Sequence, residues 1–281
     1  MLLKNNGARL GALLLGCVAA MMVLAGAAHA AQPLPWQINL QPAATPVMEK
    51  IEEFHTLLLW IITAISLFVL ALLIWIMVRY NQRSNPVPSK TSHNTILEFA
   101  WTIIPVIILV VIAIPSFRLL YFEMELPKAD VTVKAIGKQW FWTYEYPDAG
   151  NMQFDSLGLS DADADKAGKP RLLGVDNPIY VPVNKNVIIE TAGADVIHSW
   201  AVPAFGVKMD AVPGRINHTW FRATKEGVYY GECSELCGAR HAFMPIEVHV
   251  VSEAEYKKWL EEAKKKFASN TGDTRLAALS K

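Results

Sequence analysis

Two uninterrupted apolar runs constrain this chain more than any other feature. Leu57 to Val78 holds 22 residues without a charge, and Phe99 to Phe117 holds 19. At about 1.5 Å of rise per residue the first run is roughly 33 Å long as a helix, enough for the ~30 Å hydrocarbon core of a bilayer. Backbone in lipid must satisfy its own hydrogen bonds, so each run predicts a transmembrane helix. Trp60 and Trp75 fall near the ends of the first run, where an indole favours the membrane–water interface. Pro105 and Pro115 interrupt the second, and each removes an intrahelical hydrogen bond and predicts a kink. The expected spans are residues 57–78 and 96–118, joined by a loop over 79–95.

That loop contains Arg79, Arg83 and Lys90 and no acid before Asn94. A cationic loop stays on the cytoplasmic side, so both chain ends are expected outside. Residues 1–30 agree. Lys4 and Arg9 precede an apolar stretch from Leu10 to Ala27, and Ala28-His29-Ala30 has the small-x-small form of a cleavage site. This predicts a signal peptide over 1–30 and a mature start at Ala31 or Gln32. Cleavage would remove Cys17 and leave only Cys233 and Cys237. Residues 31–56 then form an external segment before the first span.

Lys plus Arg and Asp plus Glu both total 26, so the net charge is zero. A nucleic-acid binder usually needs a basic surface, and that class is set aside. Residues 119–251 read as an exported all-β domain. Val131–Ile136 alternates at period two, and Gln139–Tyr146 is an aromatic strand. Short strands follow at 179–183, 186–191, 216–223, 228–231 and 246–251, separated by Gly, Pro and Asn. Many short strands at this spacing predict a sandwich or barrel. Ser252 with Glu255 forms a capping box that opens a helix to about Phe267, followed by a tail to residue 281. Asp161, Asp163 and Asp165 resemble the start of a calcium loop. The required sixth-position Gly and twelfth-position Glu are instead Lys166 and Leu172, so a solvated loop is expected.

The chemistry concentrates in Gly231 to Met244, where Cys233, Cys237, His241 and Met244 follow a C-x3-C-x3-H-x2-M spacing. His198, on an earlier strand-like segment, is placed to reach that loop across the sandwich. Two thiolates and two imidazoles alone suit structural zinc, and a disulfide suits an oxidising compartment. A thioether favours copper. Two thiolates can bridge two copper ions, each holding one imidazole, with Met244 and a loop carbonyl in the weak positions. Such a centre has no open coordination site and would relay electrons. Glu98, at the cytoplasmic start of the second span, is either a proton inlet to a partner or an interfacial carboxylate facing water.

The segments Gly231–Pro245, His198–Pro203, Asp210–Arg215 and Gln139–Tyr146 resemble subunit II of cytochrome c oxidase, in its bacterial, signal-bearing form, over about residues 45–260. The resemblance implies a two-helix transmembrane hairpin, a cupredoxin-like sandwich or barrel, a C-terminal helix and a dinuclear CuA centre. It implies that Cys233 and Cys237 bridge the coppers and that His198 and His241 are terminal ligands. Met244 and the Glu235 carbonyl are the implied axial ligands. The Glu235 side chain would reach Mg²⁺ or Mn²⁺ shared with subunit I. Trp140 would be the electron inlet, and Glu98 the mouth of a proton channel. Glu145, Asp155 and Asp195 would belong to the docking surface for cytochrome c. Between residues 121 and 250 there are 17 acids against 12 bases, a net of −5 that would steer a basic donor.

The implied partners are oxidase subunits I and III, cytochrome c and the lipid bilayer. The implied location is the bacterial inner membrane with the C-terminal domain in the periplasm. Two rivals differ in their sites. A quinol oxidase subunit II shares the hairpin and β domain but lacks these copper ligands. A membrane-tethered copper chaperone needs an open, exchangeable site. A nitrous-oxide-reductase-type enzyme would need a further large catalytic domain.

Overall fold

The computed structural model describes residues 29–267. A short strand, β1 (His29–Ala31), precedes two long helices, α1 (Pro46–Arg79) and α2 (Thr95–Met124). The strands β2 (Val131–Lys138), β3 (Phe141–Tyr146) and β4 (Met152–Ser156) follow, then a short helix α3 (Asp161–Ala167). The rest of the β domain is β5 (Ile179–Pro182), β6 (Val187–Gly193), β7 (His198–Val202), β8 (Val207–Ala211), β9 (Asn217–Phe221), β10 (Gly227–Cys233) and β11 (Pro245–Val251). Helix α4 (Glu253–Phe267) closes the described chain. The expected signal peptide lies outside the described residues except for its last two positions, and the expected cleavage point after Ala30 falls within β1.

One sheet runs β4-β3-β2-β6-β9, and the other β5-β11-β10-β7-β8 with β1 added to β10. Their inner faces share one core that includes Trp142, Tyr144, Trp200, Phe205, Phe221 and Tyr229. The two-layer arrangement is the expected cupredoxin-like sandwich. Helix α4 carries the expected capping box, with the Glu255 N–H donating to Ser252 Oγ. Its Trp259 and Phe267 cover Tyr180 and Phe154, with ring centroids 4.8 and 4.7 Å apart.

Both long helices exceed the uncharged runs. The 34 residues of α1 span about 51 Å, so its first turns stand clear of the hydrocarbon. Apolar side chains along both spans, such as Phe68, Trp75, Ile104 and Val111, are exposed, as a lipid-facing or partner-facing surface requires. Helix α2 continues through Pro105 and Pro115.

The extra turns root the hairpin on the β domain. Val47 of α1 is buried with Ile188 of β6 and Trp220 of β9, and Phe122 of α2 packs edge-on to Trp220 at 5.5 Å. Thr45 forms the joint. Its hydroxyl donates to the Phe205 carbonyl at 2.7 Å and accepts the Met48 N–H at 3.0 Å, so one atom caps α1 and fastens it to the sandwich. Gly206 sits at φ +67°, where a Cβ would lie 3.0 Å from Met48 Cα.

Three expectations change. Three further strands, β1, β4 and β8, join the sheets. The aromatic strand begins at Phe141, because Gln139 and Trp140 form the turn out of β2 and direct their side chains toward the opposite sheet. The aspartate-rich stretch is a helix and not a loop. Ser160 caps α3 by accepting the Asp163 N–H at 3.2 Å, Gly168 ends it in the left-handed region, and Asp161 and Asp163 favour its first turn through the helix dipole.

Replacing Thr45 with Val keeps the shape and leaves a buried carbonyl and the helix cap unpaired. A loss of about 1–3 kcal/mol is expected, read as a lowered thermal midpoint of the detergent-solubilised chain. An unchanged midpoint would show that the joint carries no load.

Candidate metal centre

The centre occupies one end of the sandwich. His198 is the first residue of β7, Cys233 is the last of β10, and Cys233 pairs with Trp200 in the ladder. The ladder therefore sets His198 beside Cys233. Cys237, His241 and Met244 lie on the connection from β10 to β11, with a single 3-10 turn over His241–Phe243.

Cys233 and Cys237 are free thiols whose sulfurs lie 3.9 Å apart, where a disulfide needs about 2.05 Å. Around Cys233, His198 Nδ1 lies at 3.9 Å and the Glu235 carbonyl at 3.4 Å. Around Cys237, both His241 Nδ1 and Met244 Sδ lie at 3.6 Å. The ligand atoms of His198, Cys233 and Cys237 all fall within 4.8 Å of one another, and all three residues are buried. The expected donors thus converge on one spot, each thiol with an imidazole and a weaker donor beside it. The Glu235 carbonyl faces Cys233 while the residue is exposed, leaving its carboxylate free for another ligand.

A ring of hydrogen bonds from the opposite sheet holds the loop. The Cys237 carbonyl accepts from Gln139 Nε2 at 2.8 Å and from Trp140 Nε1 at 3.2 Å. The Met244 carbonyl accepts from Trp142 Nε1 at 3.3 Å. Asp195 orients His198, with Oδ1 2.9 Å from His198 Nε2. The same carboxylate accepts the N–H groups of Val196 and Gln139, both at 2.7 Å. A carboxylate on Nε2 leaves Nδ1, the nitrogen facing Cys233, to bind metal.

The electrostatics follow from this crowding. Burial alone would raise the Cys233 thiol, but hydrogen bonds with His198 and the Ser199 backbone outweigh it and bring the group down to about 7. Burial, and then the neighbouring Cys233 thiolate, push Cys237 up to about 12. Burial opposes the charge on Asp195, yet its bonds to His198, Val196 and Gln139 hold the carboxyl below its ordinary value.

Of the other expected residues, Trp140 is half-buried and touches the Cys237 carbonyl. Glu145 and Asp155 lie on the neighbouring strands β3 and β4. Glu145 is 3.9 Å from Lys134, and Asp155 accepts from Thr143 Oγ1 at 2.6 Å. Asp195 sits apart from that pair, at the metal ligand. Glu98 is exposed in the first turn of α2, behind an Asn94 cap, far along the chain from the centre. Sequence reasoning missed the loop-holding roles of Gln139 and Trp142. The only signal was their place in the aromatic stretch beside Trp140.

Fold and cluster define a membrane-anchored cupredoxin-like protein with a buried soft-metal site. Comparison with known proteins narrows this. The family model for the cytochrome c oxidase subunit II periplasmic domain matches residues 131–251, and that for its transmembrane domain matches 33–119. The chain is 51% identical to the probable cytochrome c oxidase subunit 2 of Rickettsia bellii, over 89% of this chain and 92% of that one. It is 45% identical to cytochrome c oxidase subunit 2 of Cereibacter sphaeroides, over 89% of this chain and 91% of that one. The solved periplasmic domain of subunit II from Bradyrhizobium japonicum is 59% identical and covers 51% of this chain and 99% of its own, with a TM-score of 0.48. The chain belongs to the cytochrome c oxidase subunit II family.

Metal binding requires both thiols ionised. Above about pH 7 the Cys233 proton has already left and the Cys237 proton has not; below it both remain. Copper uptake by the metal-free chain should therefore tighten as pH rises and release more protons per site at pH 6 than at pH 8. Calorimetric titration in buffers of different ionisation enthalpy measures this. Equal proton release at both pH values would contradict the assigned thiol order.

Proposed function

We propose that this chain is the electron inlet of a terminal respiratory oxidase, taking electrons from cytochrome c and passing them to the haem–copper centre of subunit I. The observation that carries this reading is the pairing of donors about two shared sulfurs. A metal ion spans two thiolates through bonds of about 2.3 Å, a reach of roughly 4.6 Å, so sulfurs 3.9 Å apart are within reach of one ion on either side. A single tetrahedral ion would leave two of the six donors over; two soft ions use them all. His198, Cys233, Glu235, Cys237, His241 and Met244 would hold a copper pair, the CuA centre, and that group would supply one-electron transfer with little change in bonding.

The chain's own residues do the rest. Asp195 holds His198 in one tautomer. Burial of His198, Cys233, Cys237 and Met244 excludes water from the ligands. Trp140, half-exposed and hydrogen-bonded to the Cys237 carbonyl, connects the outer surface to the thiolate loop. The Glu235 carboxylate, facing out while its carbonyl faces the sulfurs, offers a hard oxygen ligand for Mg²⁺ or Mn²⁺ shared with subunit I. The acidic surface around Glu145, Asp155 and Asp195 would receive a basic donor. The apolar faces of α1 and α2 would pack on subunits I and III and on lipid. The cationic loop after Arg79 would lie in the cytoplasm, with residues 1–30 removed on export and the β domain in the periplasm. Glu98 would then stand at the cytoplasmic mouth of a proton channel.

Copper added to the metal-free chain should give a purple protein with two coppers per chain. Its single unpaired electron should show hyperfine coupling to two equivalent nuclei. Cys237→Ser should abolish that signal. Coupling to one nucleus only, or a colourless protein, would sink the two-copper reading.

In the assembled oxidase, oxidation of cytochrome c should slow steeply with salt, because exposed charges are screened within about 10 Å at 0.1 M ionic strength. Glu98→Gln should lower turnover while leaving the copper spectrum unchanged. A flat salt response would remove the docking surface, and unaltered turnover would remove the role of Glu98.

A further inference from the structure

We propose that Gln139 is a positioning residue for the two-thiolate centre, tying the segment that bears Cys237 to the segment that bears His198. The inference rests on the copper reading above. Gln139 occupies the exposed turn between β2 and β3, where a glutamine side chain is ordinarily free. Here its amide donates to the Cys237 carbonyl at 2.8 Å, and its backbone N–H donates to Asp195 Oδ2 at 2.7 Å. The other oxygen of Asp195 is 2.9 Å from His198 Nε2. One residue therefore reaches both halves of the ligand set, through a carbonyl on one side and a carboxylate on the other.

The metal loop is shaped to receive it. Gly238, directly after Cys237, has φ +120°, a conformation that side chains other than hydrogen rarely adopt. A Cβ there would lie 3.1 Å from Gln139 Nε2 and 3.1 Å from the Trp140 ring. Glycine thus permits both the backbone conformation and the close approach of the turn. With the Cys237 peptide held, its sulfur is fixed against His241 and Met244. Trp140 shares the same carbonyl, so Gln139 also sets where that ring meets the loop. Groups that hydrogen-bond behind metal ligands commonly change affinity by about 10- to 100-fold when removed.

The test uses the full chain in detergent and compares wild type with Gln139→Met, which keeps length but loses the amide, and Gln139→Glu, which sets an acceptor against the carbonyl. Glu261→Gln, at an exposed position of α4, serves as a surface control. Hydrogen exchange of residues 234–244 is followed in the metal-free protein. Copper hyperfine coupling and copper loss to a chelator are followed in the loaded one. Both Gln139 variants should exchange that loop and lose copper about tenfold faster, with altered coupling and an unchanged thermal midpoint, while the control matches wild type. Exchange and copper loss within twofold of wild type in both variants would overturn the proposal. If wild type shows no coupled copper spectrum, the copper reading falls, and the exchange of the metal-free loop still decides the role of Gln139.

Discussion

The closure of one end of the sandwich by hydrogen bonds between its two sheets is the constraint on which the rest of this structure depends. Indole and amide donors of the β2–β3 region hold the carbonyls of Cys237 and Met244, which lie on the connection between two strands of the opposite sheet. Without these bonds the connection from β10 to β11 would be an ordinary long loop. Such loops sample many conformations, and ordering each residue costs about 1–2 kcal/mol. Here the cost is met by the fold, before any metal arrives. Two thiols, two imidazoles and a thioether are already gathered, and a metal binding there would require little rearrangement of the protein.

The same economy governs charge. Two adjacent buried thiolates would repel one another: Cys237 is raised by burial and then by the Cys233 thiolate, while bonds to His198 and the backbone lower Cys233. A bound cation would relieve that repulsion, so a pair of thiolates here is electrostatically incomplete as bare protein. Asp195 offsets part of the imbalance at His198 and is itself held by two backbone N–H groups. Glu145 and Asp155, on β3 and β4, have no contact with the ligands among the described residues and differ from it in kind.

Legibility in the sequence followed how locally each feature is encoded. The two spans were plain, because lipid demands long uncharged runs. Their outer turns were not, since Glu49, Lys50, Glu52 and Glu53 end the apolar signal while the helix continues on Val47, Met48 and Ile51. Cys233, Cys237, His241 and Met244 stood out because one loop contains them all. His198 was legible only as a candidate, because strand pairing brings it to Cys233 and spacing does not. Gln139 was invisible as a positioning group because it binds a backbone carbonyl, which no residue identity marks. The aspartates at 161, 163 and 165 misled because alternate acids suit a calcium loop and a helix's first turn alike; the Ser160 cap and Gly168 decided for the helix.

The joint at Thr45 has a consequence for distance. Helix α1 runs without a break from the bilayer to the sandwich, and its N-cap Thr45 is bonded to Phe205 beside β8. The loop that carries Cys237, His241 and Met244 is thereby mounted on a stiff pillar and not on a tether. Tunnelling between centres weakens steeply with separation, so under the proposed copper reading a donor or acceptor seated against this chain would meet the loop at one fixed height above the membrane.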